Sequence, residues 1–200
     1  ILKIKNSSFL RHKMVLSQKK QLENFSYQNI KSALADFLSP VITNEVKQSC
    51  QDNYNQTTNY RIEGPFDSTY SLAIVNQNIA LSLSKNDSFV SLYSTEGHGD
   101  FQPSQEFLEQ NPAIEKLYKT ELDSVDATLR NLYPPRTNAM LGSHKIIGPY
   151  GWEESEFLSE FVWQFNSRLT LLFCMSNYVK NLMANNGVKI PLAVTGLGVN

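Results

Sequence analysis

Tyr60–Val75 reads YRIEGPFDSTYSLAIV, and three kinds of local structure follow one another within it. Tyr60–Glu63 is a brief strand. Gly64-Pro65 then turns the chain, and Asp67-Ser68-Thr69 opens a helix. One face of that helix is marked by Leu72, Val75, Ile79 and Leu83. Strand, turn and helix make one βα unit, and the same texture recurs to the end of the chain. Further strands are expected over Phe89–Ser94, Asp126–Asn131, Lys145–Pro149, Leu169–Met175 and Leu192–Thr195. Helices are expected over about Ser104–Lys119 with a break at Pro112, over Glu156–Ser167, and over Asn177–Asn186 closed by Gly187. Strands alternating with helices predict an α/β fold, a Rossmann-like open parallel sheet flanked by helices.

The segment before this pattern is different. Between Ile1 and Leu22 stand Lys3, Lys5, Arg11, Lys13, Lys19 and Lys20, with no acid among them. No apolar core follows these charges, so the segment is not a clean signal peptide. Phe25, Ile30, Leu34, Phe37 and Leu38 recur at helical spacing up to Pro40, and Gln51–Tyr60 is a polar, Asn-rich linker. The expected organisation is a helical extension with linker over residues 1–56 and the sheet domain over residues 57–200.

Composition narrows the function classes. The 200 residues are 41% hydrophobic, enough for a real core and against wholesale disorder. Charged residues are only 18% against a usual ~25%, and 19 Asn and 21 Ser supply polarity in their place. A formal charge of -1 argues against a general nucleic-acid binder, whose affinity comes from neutralising phosphates. No apolar run approaches the ~18 residues of a membrane span. Cys50 and Cys174 lie far apart without metal or redox spacing, which suggests a reducing compartment.

In an open parallel sheet, ligands bind beside the loops at the carboxyl ends of the strands. Five segments are expected on that rim. Gly64–Ser71 offers free backbone N–H groups at a helix start, with Asp67 or Ser68 as N-cap; a capped helix without ligand fits the same residues. It lacks the glycine spacing of a dinucleotide site. Ser94–Phe101 brings Glu96, His98 and Asp100 between glycines. Arg130–Arg136 places two arginines and Tyr133 around a Pro-Pro pair, able to hold a phosphate or carboxylate or to serve the structure. Gly148–Ser155 combines Tyr150 and Trp152 with Glu153 and Glu154. Aromatic faces stack on sugar C–H groups and carboxylates accept from hydroxyls or take a proton, whereas Glu153, Glu154 and Glu156 also suit a helix N-terminus. The fifth is the glycine-rich Gly196–Asn200. Neither a nucleophile triad nor metal-ligand spacing is present.

Taken in order, EGPFDSTYSLA from Glu63, STEGHGDF from Ser94, RNLYPPR from Arg130, YGWEES from Tyr150, SNYVKNLMANNGV from Ser176 and the terminal GLGV resemble GT4-type glycosyltransferases. The resemblance runs from about Arg61 to Asn200 and is to the acceptor-side, amino-terminal domain of these retaining enzymes. It implies one half of a GT-B fold, in which a second Rossmann-like domain holds the nucleotide-sugar donor. The family's chain crosses to that domain near the run matching Gly196–Asn200. Ile1 in place of Met and the closing Gly-x-Gly are therefore expected to be the edges of a piece of a longer enzyme.

The resemblance carries Gly64, Pro65, Phe66, Asp67 and Ser68 to the donor phosphates and acceptor. It carries Tyr150, Trp152, Glu153 and Glu154 to the side of the reacting sugar, with Glu153 and Glu154 as catalytic candidates. With Glu96, Arg130, Tyr133 and Arg136 they form the expected substrate site. The histidine that many members have near the fourth strand is not matched here, and His144 takes no role. The implied function is sugar transfer from a nucleotide sugar to a glycan acceptor, as in bacterial polysaccharide synthesis, on a cytoplasmic protein. The expected partner is the donor-binding domain; no metal, cofactor or nucleic acid is expected. The basic amino-terminal stretch is suited to anionic lipid. The alternative is a non-catalytic Rossmann-like binding module whose helical extension contacts a partner.

Overall fold

The computed structural model describes residues 58–86, 88–97 and 99–196; the expected helical extension, His98 and Leu197–Asn200 lie outside them. Gln56–Val194 forms one compact unit. Its elements are β1 Asn59–Gly64, α1 Ser71–Leu83, β2 Phe89–Glu96, β3 Gly99–Asp100, α2 Gln105–Gln110, α3 Pro112–Tyr118 and β4 Ala127–Arg130. They continue with β5 His144–Tyr150, α4 Ser159–Arg168, β6 Leu171–Cys174, α5 Asn177–Asn185 and β7 Leu192–Val194. The strands form a seven-stranded sheet of order β3-β2-β1-β4-β5-β6-β7. All pairs are parallel except β2–β3, so the fold is α/β with a Rossmann-like open sheet.

The caps explain where several helices begin and end. Ser104 Oγ accepts from Phe107 N, and Ser176 Oγ from Val179 N, each satisfying an N–H that the helix leaves free. Pro112 does not merely bend a helix. It stands at the first position of α3, where its missing N–H has no partner to lose, and so splits the expected helix in two. Gly187, at φ 93°, closes α5 while Val188 N donates back to Met183 O at 3.0 Å.

Helix α1 differs from the expectation in two ways. Its cap position is Tyr70, without a side-chain hydrogen bond, and Asp67 instead accepts the backbone N–H of Ser104 at 2.8 Å, across to the start of α2. Its buried residues are Ala73, Asn76 and Ala80, not the larger Leu72, Val75, Ile79 and Leu83, which are only half-buried. Small side chains let the helix lie close to the sheet. β3 was not expected; a two-residue strand carries no hydrophobic pattern and exists only through its hairpin pairing with Thr95 and Glu96.

Two apolar clusters hold the layers. On one face, Ile62, Val90, Leu92 and Leu129 of β1, β2 and β4 pack against Ala80, Leu108, Ile114 and Leu117 of α1–α3. Ile62 pairs in register with Leu92 on one side and Leu129 on the other, so these apolar side chains lie in one row. On the opposite face, Ile147, Leu172 and Cys174 of β5 and β6 pack against Phe165, Val179, Leu182 and Met183 of α4 and α5. Burial pushes the Cys174 thiol up to about 11, so it behaves as a small apolar core residue.

Candidate functional site

The strand order reverses between β1 and β4, the place where open α/β sheets bind ligands. The turn after β1 and the turn after β4 meet there. A Cβ on Gly64, at φ 152°, would lie 2.4 Å from both Asn131 O and Asn76 Nδ2, so only glycine lets the two turns touch. Asn76, fully buried on α1, donates to Pro65 O at 2.8 Å and to Asn131 O at 3.0 Å, tying both turns to the helix. Gln77 donates to Phe66 O and Ser68 O. The turn is therefore pinned by side chains to its carbonyls. Ser68 Oγ, Asn76 Oδ1 and Asn131 Nδ2 are buried without a hydrogen-bond partner among the described residues.

The sequence-derived candidates separate on this frame. Gly64, Pro65 and Phe66 are buried, and Phe66 belongs to the core against Tyr118, so these three shape the turn without facing solvent. Asp67 and Ser68 are half-buried on the rim. Glu96 is exposed and accepts from Tyr70 OH, and burial, aided by this bond, holds the Tyr70 phenol above its ordinary range. Tyr133, 61% exposed, stands just past β4.

The aromatic pair is placed differently from the sequence reading. Tyr150 is 4% exposed, stacks on Trp152 at 6.3 Å, and meets Phe157 and Phe165 edge to face. Trp152 packs its ring against Phe157 at 5.0 Å and donates Nε1–H to Glu156 O. Tyr150 and Trp152 close the aromatic core between β5 and α4, and burial pushes the Tyr150 phenol up. Their mutual attraction outweighs presentation to a sugar because each ring removes a large apolar area from water. Glu153 and Glu154 are exposed, but α4 does not begin until Ser159. The acid in its first turn is Glu160, so Glu153, Glu154 and Glu156 do not serve that N-terminus.

A second feature lies on the sheet face opposite α1–α3. Strand alternation puts Arg61 and Glu63 of β1 beside Tyr93 and Thr95 of β2 and Arg130 of β4. Here β3 and the 136–139 segment wall a cleft of about 270 Å³ lined by Arg61, Glu63, Tyr93, Thr95, Asp100 and Arg136, among others. Glu63, 1% exposed, is held by Arg61 Nε at 2.7 Å and by Arg130 Nε and Nη2 at 2.6 Å. Arg130 Nη1 donates to Arg136 O and Asn138 O, fixing the far wall. The Arg61 guanidinium lies 3.8 Å over the Tyr93 ring. Tyr93 OH donates to Asp100, which holds the Asp100 carboxyl below its ordinary range, helped by Thr95, Arg136 and Arg61; the same bond pushes the Tyr93 phenol up.

Of the expected arginines, Arg130 is thus a structural anchor and Arg136 a cleft residue. Thr95 and Asp100 come from the expected rim segment Ser94–Phe101, whereas Arg61 and Tyr93 were outside every expected segment. For Arg61 and Tyr93 a signal was present, as residues with polar ends flanking the apolar Ile62 on β1 and Leu92 on β2. Among the described residues no cluster of three metal-ligating side chains exists, and no helix is long and apolar enough to cross a membrane. Compared with protein-family models, curated proteins and solved structures, the chain matches none.

Proposed function

We propose that this chain is the acceptor-side domain of a retaining, nucleotide-sugar-dependent glycosyltransferase of GT4 type, working with a second, donor-binding domain. One observation carries the reading. The strand order reverses between β1 and β4, and the two turns that flank the reversal, Gly64–Ser68 and Asn131–Arg136, come from the stretches that resemble the family. Tyr133, exposed on that rim, takes the stacking role that the buried Tyr150 leaves vacant, with the half-buried Trp152 packed on Phe157; Asp67, Tyr70 and Glu96 are polar groups elsewhere along the strand ends. An acceptor hydroxyl would displace the nucleoside diphosphate from the anomeric carbon with retention, the donor's phosphates being held by the second domain. A cytoplasmic location belongs to the same proposal.

The test is ligand-observed NMR of the full 200-residue chain with neutral mono- and disaccharides, beside a transfer assay with nucleotide sugars. Saccharide saturation transfer that Tyr133→Ala removes, without turnover, is the expected result. Turnover by this chain alone overturns the two-domain reading. No saccharide contact at all favours the rival, a non-catalytic binding module.

A further inference from the structure

The cleft on the sheet face calls for its own account, because the buried Glu63 needs Arg61 and Arg130 as counter-charges but leaves Arg136 without a carboxylate of its own in hydrogen-bond contact. Most of the hydrogen-bonding capacity of these three guanidinium groups can be traced. Arg130 has each of its three nitrogens engaged, by Glu63 and by two carbonyls. Glu63 is in turn neutralised on both oxygens. Arg61 uses only Nε, leaving its two terminal nitrogens at the cleft. Arg136 gives one Nη2–H to Thr95 Oγ1, while its Nε is buried with no partner among the described residues. A buried guanidinium N–H without an acceptor costs free energy until an oxygen meets it.

Charge points the same way. Arg61, Arg130 and Arg136 face Glu63 and Asp100, three positive groups against two negative, around a cleft of about 270 Å³. The surplus guanidinium is on Arg136, which is hydrogen-bonded only to the neutral Thr95 hydroxyl, with Asp100 as its nearby counter-charge. The available donors come from two sides: the terminal nitrogens of Arg61 on β1 and the guanidinium of Arg136 on the opposite wall. A tetrahedral oxyanion can turn oxygens to both walls at once, which a planar carboxylate with its two oxygens on one side does less well. At the exposed edge Asp100 remains ionised, its carboxyl held down chiefly by the Tyr93 hydroxyl. It repels a bare anion but accepts from hydroxyls on whatever carries the anion.

We propose that the cleft between Arg61 and Arg136 binds the phosphoryl group of a small hydroxylated molecule, such as a sugar phosphate, with Asp100 receiving the carrier's hydroxyls. The site lies on the face of β1 and β2 and shares Arg136 with the turn after β4; its test reads phosphate at the arginines and not saccharide at Tyr133, so its failure and that of the transferase reading are distinguishable.

The test titrates the full chain with a hexose phosphate, with inorganic phosphate and with acetate at constant ionic strength. Proton–nitrogen correlation NMR follows the arginine Nε–H signals. Saturable shifts of the Arg61 and Arg136 signals are expected, with Kd on the order of 1 mM for inorganic phosphate and tighter for the hexose phosphate. Arg136→Gln should weaken both by about tenfold or more, while Arg168→Gln on α4 leaves them unchanged. Should Arg136→Gln fail to fold, Asp100→Asn, at an exposed position, serves instead. It should tighten inorganic phosphate and erase the preference for the hexose phosphate. Absence of saturable shifts, shifts that survive Arg136→Gln, or acetate binding as well as phosphate would each overturn the proposal.

Discussion

On the sheet face opposite α1–α3, two regions solve the same problem in opposite ways. Over β5 and β6 the face is apolar, and Ile147, Leu172 and Cys174 are sealed by the aromatic group of Tyr150, Trp152, Phe157, Phe161 and Phe165 under α4 and α5. Over β1, β2 and β4 the corresponding positions are Arg61, Glu63, Tyr93, Thr95 and Arg130, and charges and hydroxyls take the place of packed rings. The aromatic side gains stability from area removed from water and tolerates no ligand. The charged side holds a buried ion triad, which costs desolvation and gains little net stability, but keeps donors at an open cleft. The contrast teaches that chemistry-bearing residue types mislead when they sit in the sealed half. Tyr150 and Trp152 look like a sugar platform, yet Tyr150 is core and Trp152 lies half-buried against it; Arg61 and Tyr93 look like ordinary strand residues and line the cleft.

The largest test of the contrast is in the sealed half. Phe165→Ala should cost about 4 kcal/mol in urea unfolding, since its ring is fully buried among others that cannot collapse into the gap. In the charged half Glu63→Gln should cost about 3 kcal/mol, because two guanidinium groups lose their counter-charge while staying buried or half-buried. Were Glu63→Gln neutral, the triad would be solvated and the two halves less different than their burial implies.

At the junction of the halves, Gly64→Ala should cost about 2 kcal/mol. Its new methyl group meets Asn131 O and Asn76 Nδ2, so the turns after β1 and β4 must separate. Saccharide contact at Tyr133 should weaken with it. Tyr150→Phe is a smaller probe. The Tyr150 hydroxyl is buried without a partner among the described residues, so its removal should change stability by less than about 1 kcal/mol, on the stabilising side. A large loss would show that this hydroxyl is engaged after all.

The smallest effect is a pH dependence. The Asp100 carboxyl is lowered in the folded chain, so its contribution is present above its ordinary pKa of 3.8 and is lost as pH falls through the lower, folded value. Urea midpoints should decline slightly more at the acid end for the native chain than for Asp100→Asn. Identical profiles would remove Tyr93 and the arginines as neighbours that matter to Asp100.

The βα alternation, the break at Pro112, the end of α5 at Gly187 and the positions of most strands are legible in the residues, because each depends on local periodicity or on one backbone-restricting residue. Asp67 as a cap was legible only in part, since an Asp in a turn has several N–H groups in reach and the nearest proved to be Ser104, on another helix. β3 was invisible for the same reason: its pairing is set by the return of the chain, not by its two residues.

Sequence alone determined the fold class, the strand-end loops and the fact that Arg136 and Tyr133 stand past a strand. Tertiary structure alone decided which aromatic rings face water and which arginines keep free donors. Those depend on which strands become neighbours. The order β2-β1-β4 brings Arg61, Tyr93 and Arg130 together from positions far apart in the chain, and no local pattern encodes that adjacency.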